Sequence, residues 1–254
     1  MRIRFFGLTA PAGVVAIVFA LSAAPASAQS KGQSYQAPRT PDGQPDLQGI
    51  WEVKSSPDKD LEKAKGLIVD PKNGKIPYLP AALEQKKKNE KNSNADDPLN
   101  KCYMPGVPRI NLLSHPLQIF QTPNQISIAY EYIHNFRNIY LTRKDHLDGI
   151  DFWQGDSLGH WDGDTLVVDV ADFNDQTWFD KAGDYHSDEL HVVERYTRTG
   201  PDTLQYEATI TDPKVFSQPW TIRETLHRDT KQYARILEYE CQYLADEAAK
   251  KKGK

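Results

Sequence analysis

The sequence predicts an all-β fold, an antiparallel barrel carrying an N-terminal arm and a lysine-rich, partly helical insertion. Three observations predict it. Residues 116–241 alternate apolar and polar side chains with period two over run after run. Gly, Pro, Asp and Asn separate those runs, which is the punctuation of strands returning through short turns. No long helical period interrupts them. Neighbouring strands joined by short turns are usually antiparallel, and about nine or ten of them close well into an up-and-down barrel without exposed edges. A two-sheet sandwich is the alternative.

The chain has 254 residues and a formal charge of −4. Residues 1–28 read as a secretory signal. Arg2 and Arg4 give the positive start, an apolar stretch runs from about Val14 to Ala24, and Ala26-Ser27-Ala28 supplies the small-residue cleavage pattern. The expected location is therefore periplasmic or secreted, with cleavage after Ala28. No cysteine stands at the cleavage region for a lipid anchor. The mean hydropathy of −0.66 and the lack of a second apolar run of about 20 residues argue against a membrane span. The acidic balance argues against nucleic acid as a partner.

Residues 29–46 are polar and rich in Gly, Pro and Ser, and read as an extended arm. A single domain is expected over 47–243. Its first strand is 47–53. An insertion follows at 55–101, basic through Lys63, Lys65, Lys72, Lys75, Lys86, Lys87, Lys88 and Lys91. Pro80 suits the first turn of a short helix ending near Asn92. The lysine run is read as a solvated face rather than a membrane or nucleic-acid patch. Further strands begin at Leu117, Ile126, Asn138, Thr165, Leu190, Leu204 and Trp220, with a last one expected over 235–241. A flexible tail, 244–254, closes the chain.

The two cysteines, Cys102 and Cys241, lie at the borders of the strand region. An export signal and an even count predict a disulfide between the insertion's exit and the last strand. The chain-entropy model puts its stabilisation at about 5 kcal/mol as an upper value.

No established catalytic motif emerges. Gly155-Asp156-Ser157-Leu158-Gly159 has the G-x-S-x-G shape, but the helix that motif needs is replaced by a strand-rich run. The seven histidines include no HExxH pattern, and His186 and His191 fall on opposite faces of a regular strand. No metal and no cofactor is expected. Charged residues inside strands are more informative. Glu194 shares a face with Leu190, Val192 and Tyr196, which points it inward, where a carboxylate needs a partner. Glu224 repeats the pattern with Trp220, Ile222 and Leu226. Arg137 and Arg195 are candidate partners, and Glu131 is a second candidate acid. Trp153, Asp156, His160, Trp161 and Asp162, at an expected Gly-rich turn, are read as the rim of a barrel mouth, with His186, Asp188 and Glu189 joining them.

Two functions follow. In the first, the protein binds a small, partly apolar molecule through Tyr130, Trp153, Trp161, Tyr196, Tyr206 and Trp220, since large side chains with polar tips suit pocket walls. In the second it is a cofactor-independent lyase, isomerase or hydrolase using Glu131, Arg137, His160, His186, Asp188, Glu194 and Arg195 for acid–base chemistry. A surface interaction protein acting through the lysines is the weaker third. Converging inward charges favour the enzyme, and a sealed, aromatic-filled interior excludes both pocket readings.

Two resemblances bear on this. Gly49-Ile50-Trp51 on a first strand resembles the G-x-W start of lipocalins, and implies a calycin-like, ligand-binding barrel. Pro38-Arg39-Thr40-Pro41-Asp42-Gly43-Gln44-Pro45-Asp46-Leu47-Gln48-Gly49-Ile50-Trp51 resembles the opening of a large group of exported bacterial β-rich proteins without an established activity. Blocks similar to that group's follow in order: Cys102 to Arg109, Gly155 to Val168, His186 to Leu190, Val193 to Arg195, Asp212-Pro213, Pro219-Trp220 and Glu238 to Cys241. This resemblance implies an exported β-rich domain and transfers no site residue.

Overall fold

The structure is a computed structural model and describes residues 35–241 and 249–252. The signal segment at 1–28 and most of the tail at 244–254 lie outside the described residues. Ten strands form the architecture: β1 Gly49–Val53, β2 Ile68–Asp70, β3 Leu117–Gln121, β4 Gln125–Tyr130, β5 Phe136–Tyr140, β6 Asp156–Asp162, β7 Thr165–Ala171, β8 His191–Gly200, β9 Thr203–Thr211 and β10 Trp220–Arg228. Helices α1, Pro80–Lys91, and α2, Ser93–Asp96, lie in the insertion. Pro80 opens α1, as its missing N–H allows.

Nine strands close on themselves in the order β1-β3-β4-β5-β6-β7-β8-β9-β10, with β10 pairing back to β1, and β2 adds to β10 as a tenth. The expected all-β barrel is present. Strict alternation in β4, β8 and β9 fills its inside with Ile126, Ile128, Val192, Tyr196, Leu204, Tyr206 and Ile210.

An odd ring cannot be antiparallel throughout. Alternating directions around nine strands leaves one pair pointing the same way. That pair is β5 and β6, which run parallel and are joined only at Tyr140↔Leu158. The up-and-down expectation fails here for this reason of parity. A parallel pair also needs a crossover rather than a hairpin, so residues 141–155 travel back along the wall before β6 begins. This seam positions the candidate site.

Four other expectations are corrected. The strand expected at 235–241 does not form, because β10 is already paired with β9 on one side and with β1 and β2 on the other. Residues 229–240 instead run irregularly outside the barrel, where Tyr239 packs on His115 and Tyr132. The Cys102–Cys241 disulfide is present, spanning 139 positions, and ties the insertion's exit to this irregular segment rather than to a strand. The turn at Gly163-Asp164 ahead of Thr165 is present as the sequence indicates, whereas residues 156–162, read as part of a Gly-rich turn at the barrel rim, form strand β6. Of the arm, residues 39–45 fold into a tight turn held by an Arg39↔Pro45 bridge and by Arg39 on Asp164.

At one end of the barrel, Trp51 is fully buried, donates from Nε1 to the Leu47 carbonyl at 2.9 Å and lies 4.5 Å beneath the Arg228 guanidinium. Elsewhere Trp220 packs with Phe179 and Phe216, and Phe179 with His186. Four of the eight lysines named in the insertion are matched by acids: Lys63 by Asp60, Lys75 by Glu62, Lys86 by Glu90 and Lys87 by Glu84. Among the described residues, no helix is long and apolar enough to cross a membrane.

Candidate functional site

The centre of the barrel is a closed polar network, and its assembly starts in the insertion's exit. Asp97 and Arg109 form a fully buried, bidentate ion pair, both contacts at 2.8 Å. Asp97 also accepts the Leu99 N–H. A bidentate guanidinium–carboxylate pair fixes orientation as well as charge. Here it fixes the short 3₁₀ turn Arg109–Asn111, which carries Asn111 into the barrel. Asn111 Nδ2 donates to Glu194 Oε1 at 3.0 Å and to the Tyr196 hydroxyl at 2.9 Å, while its Oδ1 accepts from Tyr130 at 3.0 Å.

Glu194, on β8, has no exposed surface. Its Oε1 also accepts from the hydroxyls of Tyr196 and Tyr206, at 3.0 and 2.8 Å, and its Oε2 accepts from Arg137 Nη2. Arg137, on β5, donates from Nε to Ser157 Oγ at 3.0 Å. Burial alone would lower the pKa of Arg137, but the Glu194 carboxylate more than offsets this and holds it well above the ordinary arginine range. Burial, and then Glu194, push Tyr196 and Tyr206 far above the usual phenol range, so both remain hydroxyl donors. A buried charge is tolerable only with such partners.

Arg137 and Ser157 also line a cavity of about 400 Å³ at the β5–β6 seam. Phe136, Tyr140, Leu147, Phe152, Trp153 and Met104 give it apolar walls, several of them on the crossover at 141–155. Trp153 packs on Tyr103 with ring centres 5.1 Å apart. Gln154 is buried in the lining and donates to Asn135 Oδ1 at 2.7 Å. Two glycines permit the seam. Gly155 has φ +69°, and a Cβ there would meet Val170, the Ala171 carbonyl and Phe173 inside 3 Å. At Gly159 a Cβ would meet Ile139 and Leu141 inside 3 Å.

A chain of charges runs from the same cavity onto the outer wall. Arg143 grips Asp156 with both Nη atoms, at 2.9 and 2.8 Å. His146 bridges Asp156 and Asp169 at 3.1 Å each, and His191 meets Asp169 at 2.8 Å. Burial acts to raise Asp156 and Asp169, but the Arg143 and His146 hydrogen bonds, and for Asp169 those of His191 and His146, bring both below the usual carboxylate range. Asp172, raised chiefly by burial, completes with His146 and Asp156 a set whose donor atoms lie within 4.8 Å of one another. Among the described residues, these three have the spacing to hold a metal ion. Arg143 and both His146 nitrogens already satisfy Asp156 and Asp169, so an ion would have to displace them.

No family model and no curated protein matches the chain. Among solved structures it is similar to a crystal structure of a mutant of the fluorescent protein UnaG, at 11% identity and a TM-score of 0.34, over 73% of this chain and 97% of that one.

Of the residues read from sequence as an acid–base set, the fold brings Glu194 and Arg137 together. It does not bring the others to them. Glu131 lies outside the barrel, 3.5 Å from His115 and accepting the Leu237 N–H. His160 is exposed on β6. Arg195, one residue from Glu194, faces the opposite way and pairs with Asp162. Asp188 is exposed and pairs with Lys214, which also meets Glu189. His186 is buried, bonded to Thr177 at 2.6 Å and to the Ser187 carbonyl, and burial lowers its pKa. Of the aromatic set, Tyr130, Tyr196 and Tyr206 belong to the closed central network, which corrects their reading as pocket walls. Trp220 is core and Trp161 packs on the core from β6. Only Trp153 of that set lines the seam cavity. Residues missed were Asn111, Gln154, Arg143 and His146. Asn111 had a visible signal, a lone amide between Ile110 and Leu112-Leu113.

Proposed function

We propose that this protein is an exported binding protein for a small, partly apolar molecule, which it takes at the β5–β6 seam rather than in the barrel centre. One observation carries the reading: a cavity of about 400 Å³ lined by Phe136, Tyr140, Phe152 and Trp153 together with polar and charged residues, among them Arg137, Arg143, Asp151 and Asp156. That size and lining suit a small ligand. The Cys102–Cys241 disulfide agrees with an oxidising compartment. The motif blocks support membership of the exported bacterial group the chain resembles.

The acid–base reading finds its convergence in Glu194 and Arg137, yet that carboxylate already accepts from four donors. A general base needs an oxygen within reach of the substrate's proton, and binding therefore fits this geometry better. Leu147→Trp, a change at an exposed wall residue, tests the site. In native mass spectrometry with a fragment library, adducts formed by the wild type should be lost in this variant. Identical adduct sets in the two proteins would refute a seam site.

A further inference from the structure

Two residues that line the seam cavity each leave one buried polar atom without a partner, and the two atoms are of opposite kinds. Arg137 spends Nε on Ser157 and Nη2 on Glu194, leaving the donor Nη1 buried and unpaired. Gln154 leaves the acceptor Oε1 buried and unpaired.

The orientation of Gln154 follows from its neighbours. Asn135 Oδ1 accepts the Phe136 N–H at 2.8 Å, which fixes that atom as an oxygen. Gln154 must therefore present its NH₂ to Asn135, and its oxygen points elsewhere. An unmade buried hydrogen bond is costly, so a ligand that supplies both partners is favoured.

Charge narrows the class. Glu194 already neutralises Arg137, and Arg143 already holds Asp156. A carboxylate ligand would meet no uncompensated cation, and its lone pairs would face the Gln154 oxygen. Resting on the seam-binding reading, we infer that the ligand enters with an uncharged carboxamide edge. Its carbonyl oxygen accepts from Arg137 Nη1, and its N–H donates to Gln154 Oε1. Its apolar body lies along Phe152 and Trp153. Both atoms are buried, so binding requires a side-chain movement. Phe136, 53% exposed and the most exposed apolar side chain of the wall, is suited to make it.

The test is isothermal titration calorimetry with four probes of one shape: 2-naphthamide, 2-acetylnaphthalene, 2-naphthoate and 2-methylnaphthalene. The amide should bind at least roughly tenfold more tightly than each of the other three. In Gln154→Met the margin of amide over ketone should vanish. The inference is overturned if the ketone or the carboxylate binds as well as the amide, if the margin survives in Gln154→Met, or if no probe binds. The wild-type series decides the matter even where Gln154→Met does not fold. If fragments sensitive to Leu147→Trp bind without an amide margin, this inference fails and the seam reading stands. If no fragment is sensitive to that change, both fail.

Discussion

Replacing Glu194 by Gln is the sharpest perturbation of the barrel centre, because it changes charge and almost nothing of shape. The wild-type carboxylate neutralises Arg137 and accepts from Asn111, Tyr196 and Tyr206. In Glu194→Gln, one carboxylate oxygen becomes an NH₂. In either orientation the buried Arg137 cation loses its counter-ion, and if the NH₂ faces Arg137, donor also opposes donor. If it faces the other side, three neutral donors lose an acceptor. Breaking a buried pair by removing one partner costs about 3–5 kcal/mol. For a domain of this size that is a fall in Tm of roughly 6–20 °C. Tyr206→Phe is the control, removing one hydrogen bond to the same carboxylate at about 1.5–3 kcal/mol. Urea unfolding of both variants gives the comparison. The reasoning is refuted if Glu194→Gln costs no more than Tyr206→Phe, since the carboxylate would then not be holding Arg137's charge.

Two further outcomes follow from buried groups elsewhere. Asp180 and Asp184 are buried side by side beneath Tyr78, which donates to Asp184 at 2.8 Å. Burial, and then the neighbouring carboxyl, push Asp180 well above the usual carboxylate range. The folded chain then keeps a proton that the unfolded chain releases, so this stability is full below the unfolded pKa of about 4 and is lost as pH rises towards the folded value. Asp184→Asn supplies a hydrogen that does not titrate, so the variant's Tm should gain on the wild type from pH 5 to 9; a difference constant with pH would contradict the shared proton. For the disulfide, the full loop is worth about 5 kcal/mol, but tethering the irregular segment after β10 costs the native state about 3 by the same model. Reduction should therefore cost about 2 kcal/mol, roughly 4–8 °C in Tm, and expose 229–240 to proteolysis; a loss near the full 5 kcal/mol, or none, would contradict this picture.

What could be read from the sequence divides by range. Glu194 was legible because period-two patterning fixes the face of every residue on a strand, and its neighbours Val192 and Tyr196 are unmistakably inward. The same rule sends Arg195 outward to Asp162. Glu224 obeys the rule but stands where the wall is half-buried and meets Ser55. The seam was not legible. Whether a ring holds an odd number of strands depends on which edges finally meet, here β10 with β1, and no local pattern carries that. Gln154 and Arg143 gained their roles from the crossover that parity forces. Asp180 and Asp184 sit four apart in an irregular stretch with no periodicity to place them.

The central claim is that a ligand sits at the seam, beside Trp153 and away from the filled barrel centre. Uniform 5-fluorotryptophan labelling reports it directly, since the five tryptophans are spread over distinct surroundings and Trp153→Phe assigns the seam resonance. Titration with a bound fragment should shift the Trp153 fluorine resonance and leave those of the fully buried Trp51 and Trp220 in place. A fragment that moves Trp51 or Trp220 while Trp153 stays fixed would contradict the account.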